Sequence, residues 1–71
     1  MTAAQFKSAV AAMQAAGAIP PGHGWKTALA NKLGLTRTSI DNFERDGTRQ
    51  IQTDYAIAAI IAGLEPYPNE A

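Results

Sequence analysis

The chain has 71 residues, enough for one domain, 1–71, and no more. It has no cysteine and a single histidine, His23, which excludes disulfides and thiolate metal sites. Six basic residues balance six acidic ones, so the total charge carries no basic footprint of the kind nucleic-acid binders usually show.

Hydrophobic residues make up 46%, ample for a folded core, and fifteen alanines against one valine, Val10, favour helices over strands. The longest apolar run, Ala56 to Leu64, is far shorter than the roughly 20 residues a membrane span needs. Met1 to Met13 lacks a basic stretch followed by an apolar block, so no secretory signal is expected and a cytoplasmic location is.

Helix one is expected over about 3–17. Thr2-Ala3-Ala4-Gln5 fits a capping box, Phe6, Ala9, Val10, Met13 and Ala16 make an apolar stripe, and Gly17 is the stop. Residues 18–24 form a loop broken by Pro20 and Pro21 and containing His23. Helix two follows from Trp25 to Leu33 and ends at Gly34. Thr36 caps helix three, which runs to about Arg45, before a sharp turn at Asp46-Gly47. Gln50-Ile51-Gln52 reads as irregular. Thr53 then caps a final helix over about 54–64, lined by Tyr55, Ile57, Ile60, Ile61 and Leu64 and closed by Pro66, with a short tail over 65–71. The sum is an all-α chain of four helices, or five.

The informative stretch is Lys26 to Arg45. Leu29, Ala30, Leu33, Leu35, Ile40 and Phe43 are expected inward, with Ala30 small at a helix crossing, Gly34 turning the corner and Leu35 plugging it. Five of the six basic residues lie in 26–49, against three acids there; 50–71 carries three acids and no base.

Leu29-Ala30-Asn31-Lys32-Leu33-Gly34-Leu35-Thr36, with Ile40 and the Phe43-Glu44-Arg45-Asp46-Gly47 ending, resembles the helix-turn-helix of phage repressor and Cro-type regulators. The resemblance spans about residues 24–64. In size and style the chain also resembles small autorepressors that accompany anti-CRISPR genes. It departs from the family where Trp25 and Lys26 stand in place of a Ser or Thr cap and a Gln, and where the loop before helix two is long.

The resemblance implies a lambda-repressor-like fold and a DNA-binding regulator whose third helix enters the major groove. Arg37, Thr38, Asp41 and Asn42 would then face bases, Arg37 pairing with a guanine and Asn42 with an adenine. Lys26, Thr36, Arg45, Thr48 and Arg49 would hold phosphates. Asp41, four residues from both Arg37 and Arg45, could equally make surface ion pairs with them. The partner would be double-stranded DNA carrying an inverted repeat, bound by a homodimer joined through Ile57, Ile60, Ile61, Leu64 and Tyr67. A helix that is apolar nearly all round wants cover on most sides. Repression would act by promoter occlusion.

The alternative is a protein-interaction or antitoxin-like module on the same scaffold, favoured by the neutral charge and the acidic last third. Catalytic and metal residues, cofactors, small-molecule ligands and membrane partners are not expected, since no cluster of suitable side chains is visible.

Overall fold

The computed structural model describes residues 1–64. Four helices account for them: α1 (Ala3–Ala15), α2 (Trp25–Leu33), α3 (Arg37–Asp46) and α4 (Ile51–Ile61). No strand occurs among the described residues.

Local chemistry sets most of these boundaries. Thr2 Oγ1 accepts from the Gln5 amide at 3.1 Å while Gln5 Oε1 accepts from the Thr2 amide at 2.8 Å, so the capping box closes as expected. α1 stops at Ala15, where the Ala18 and Gly17 amides turn back to Met13 and Gln14. Gly34 ends α2 with a left-handed φ of 69°, which lets the Leu35 amide reach the Ala30 carbonyl at 2.9 Å. Thr36 then caps α3 through the Ser39 amide.

The last helix departs from expectation. It begins at Ile51 with Gln50 as its cap residue, and Thr53 lies inside it. The Thr53 and Asp54 amides both bond back to the Gln50 carbonyl, so the segment expected to be irregular is the first turn. The reason is tertiary: the Asp54 carboxylate takes a hydrogen bond from Thr48 Oγ1 and one at 3.0 Å from the Met1 ammonium, which draws the first turn against the preceding corner. The helix also ends earlier than Pro66, at Ile61, with the Leu64 amide returned to the Ala59 carbonyl. Pro66, Tyr67 and the rest of the tail lie outside the described residues.

Phe6, Val10, Met13, Ile19, Leu29, Ala30, Ile40 and Ile57 form the buried core, so every helix and the long loop contribute to it. Each fully buried Phe, Leu or Ile contributes about 1.5–3 kcal/mol relative to exposure. The Phe6 and Phe43 rings meet edge to face at 5.7 Å and fasten α3 to α1. Leu33 and Phe43 are half-buried against the core. Leu35 is not the expected corner plug, because it remains 39% exposed. The Gly34 turn carries it to the rim of a cleft between α3 and α4. Ile19 supplies burial from the loop side instead.

Candidate nucleic-acid interface

α3 has two unlike faces. Ile40 is fully buried and Phe43 packs on the core, which anchors the helix. Arg37, Thr38, Asp41, Asn42 and Arg45 are all exposed. The spacing i, i+1, i+4, i+5, i+8 puts them along one side of the helix. The side chains expected to face bases therefore share a solvent-facing surface.

Their contacts are specific. Lys26 Nζ, from the first turn of α2, lies 2.7 Å from Asp41 Oδ1 and 3.2 Å from Glu44 Oε1. It also sits 5.7 Å from the centroid of the Trp25 ring. This bridge ties α2 to α3. The hydrogen bond from Lys26 holds the Asp41 carboxyl below the ordinary carboxylate range, and the nearby Arg37 charge adds to that. The bonds to Asp41 and then Glu44 raise the Lys26 pKa in turn. Arg45 donates to Asn42 Oδ1 at 3.1 Å and to Asp46 Oδ2 at 3.0 Å.

Several sequence expectations change here. Asp41 pairs with Lys26, not with Arg37 or Arg45, because α2 packs beside it and presents a cation closer than either helical neighbour. Lys26, expected at a phosphate, is engaged by two carboxylates. Thr48, also expected at a phosphate, is buried and fully used. It donates from Oγ1 to Asp54, accepts from the Met1 ammonium at 2.9 Å, and donates its amide to the Met1 carbonyl at 2.9 Å. Thr36 Oγ1 serves the α3 cap and lies 3.2 Å from Ser39 Oγ. Arg37 and Arg49 are exposed and make no ion pair among the described residues.

The expected dimer surface is also revised. Ile57 is fully buried in the protomer's own core and has no surface to offer a partner. Ile60 is half-buried on that core. Ile61 and Leu64 are exposed, at 37% and 66%. Ile51 and Tyr55, not assigned to the surface from sequence, are exposed as well, at 64% and 71%. An earlier helix start would have revealed them, since Ile51 and Tyr55 are one turn apart on the side opposite Ile57 and Ile60. Tyr67 lies outside the described residues.

Two clefts flank α3. One, of about 420 Å³, opens between α3 and the start of α4, with Asn42, Arg45, Arg49 and Thr53 among its lining residues. The other, of about 200 Å³, lies beside the start of α2 and includes His23, Lys26 and Arg37. Among the described residues no group of three His, Cys, Asp or Glu side chains could hold a metal, and no helix is long and apolar enough to cross a membrane. No known protein-family model, curated protein or solved structure matches the chain.

Proposed function

We propose that this chain is a sequence-specific double-stranded DNA-binding regulator, a repressor of the phage Cro type that acts as a homodimer by occluding a promoter. The observation that carries it is the polar face of α3: Arg37, Thr38, Asp41 and Asn42 stand exposed on a helix whose opposite side is pinned by the buried Ile40. α3 would lie in the major groove as the second helix of the α2–Gly34–α3 unit, with α2 crossing the backbone. Arg37 has the planar fork to pair with a guanine, and Asn42 the amide to pair with an adenine. Arg45, Arg49 and the Thr36 hydroxyl would face phosphates, which supply affinity without sequence information.

A protomer with so few free cations binds weakly at physiological salt, since affinity scales with the phosphates neutralised. Pairing two protomers on an inverted repeat doubles those contacts and sets the recognition helices about 34 Å apart. Ile61 and Leu64, exposed on and just after α4, are the members of the expected interface that stand exposed among the described residues.

The test is selection from random duplexes with the purified full chain, followed by titration of the winning duplex against salt. An enriched inverted repeat, bound with an affinity that falls by roughly 0.9 log unit per log unit of salt for each phosphate contacted, is the expected result. Failure to enrich any sequence would overturn it.

One observation favours a second function, a protein-interaction or antitoxin-like module. Lys26 is held by two carboxylates and Arg45 by Asp46, which lowers the free positive charge around α3. The same selection separates the two, because such a module enriches nothing.

A further inference from the structure

We infer that Asp41 is the specificity-determining residue for a cytosine, and that Lys26 is the positioning residue that aims its carboxylate. This rests on the DNA-binding function proposed above and names what one position of the α3 face reads.

An acidic side chain on a surface that meets DNA is ordinarily a liability, since phosphates repel it. Here the local charge is cancelled. Lys26 contacts Asp41 and Glu44 together, and Arg37 stands four residues before Asp41 on α3. Two cations and two carboxylates make a neutral patch, so Asp41 can approach a base edge without a net repulsion.

The carboxylate is also oriented. Its Oδ1 is bonded to Lys26 at 2.7 Å, while about half of the Asp41 side chain stays accessible. Lys26 is itself steadied from three sides, by Asp41, by Glu44 at 3.2 Å and by the Trp25 ring. With Oδ1 occupied, Oδ2 is the atom left to accept from a ligand. An ionised carboxylate accepts and cannot donate.

The base follows from that chemistry. Only cytosine and adenine offer an amino group in the major groove, at N4 and N6. Adenine places its N7 acceptor beside the amino group, where a carboxylate lone pair is repelled. Cytosine has no acceptor on that edge, so a pure acceptor selects cytosine. Asn at the same place would reverse the choice, because its amide can donate to N7 and accept from N6 together.

The experiment is selection from random duplexes with the wild-type full chain, Asp41→Asn, Lys26→Met and Lys26→Arg, each checked for folding by thermal unfolding. The wild type should enrich a cytosine at one fixed position of each half-site, preferred about 10-fold or more over other bases. Asp41→Asn should move that position toward adenine and leave the others unchanged. Lys26→Met should flatten the preference at that position alone, and Lys26→Arg should restore part of it. A merely structural Lys26 would lower all positions together and overturn the positioning role. An enriched operator with no position responsive to Asp41→Asn overturns the inference while the regulator stands. A wild type that enriches nothing overturns both.

Discussion

The backbone amide of Thr48 donates to the carbonyl of Met1 at 2.9 Å, joining residues 47 apart in sequence. The Met1 ammonium returns bonds to the Thr48 carbonyl and hydroxyl, and Asp54 completes the cluster. The start of α1 is thereby laced to the corner between α3 and α4. That corner sets where α3 ends, and so how its polar face is held.

Gly47 is the tightest point of this corner. A Cβ there would lie 2.3 Å from the Met1 carbonyl oxygen and 2.8 Å from the Ala3 nitrogen, both backbone atoms that cannot swing aside. Its φ of 80° is also one that other residues adopt only with strain. Gly47→Ala is expected to destabilise the fold by about 1–3 kcal/mol or more. At roughly 4–8 °C per kcal/mol for a domain of this size, the drop in Tm is easily read by circular dichroism. An unchanged Tm would show that the segment before α1 does not lie on this corner in solution.

Asp54 makes the same cluster sensitive to acid. The hydrogen bond from Thr48, then that from the Met1 ammonium, holds its carboxyl below the ordinary value of 3.8. On acidification the unfolded chain therefore binds this proton first. The stabilisation is present in full above the unfolded value, and is lost as pH falls through the lower folded one. Urea midpoints measured from pH 6 downward should fall below about pH 4. Asp54→Asn should lower the plateau and flatten part of the acid limb, leaving the share due to Asp41, whose carboxyl is also held low. An acid limb identical in the two proteins would refute the linkage.

Ile57 and Ile61 are neighbours on one helix with opposite fates. Ile57 is fully buried, so Ile57→Ala should cost about 2–5 kcal/mol, close to the whole stability of so small a domain. Ile61 is 37% exposed. Ile61→Asp should leave the protomer folded and shift sedimentation toward monomer at tens of micromolar. Should the wild type itself sediment only as monomer, the homodimer falls.

Arg37 is exposed and makes no ion pair among the described residues, so its removal breaks no salt bridge among them. Arg37→Ala should keep stability within about 0.5 kcal/mol. It should lower affinity for a selected operator by about 5- to 150-fold, as loss of one bidentate base contact does. Fluorescence anisotropy with specific and scrambled duplexes separates this from a uniform loss, which would place Arg37 on phosphate.

The four helices were legible because their signals are local. The capping box at Thr2-Gln5, the glycine turn at Gly34 and the Thr36 cap depend on residues within one turn of each other, and the spacing of Phe6, Val10 and Met13 needs only the helical period. The exposed face of α3 followed from that same periodicity. The start of α4, the pairing of Lys26 with Asp41 and Glu44, the burial of Thr48 and the exposure of Leu35 and Tyr55 did not. Each depends on which groups the packed helices bring side by side from distant parts of the chain. A charge or hydroxyl takes the nearest partner in space, and spacing along a single helix names only the partners within that helix.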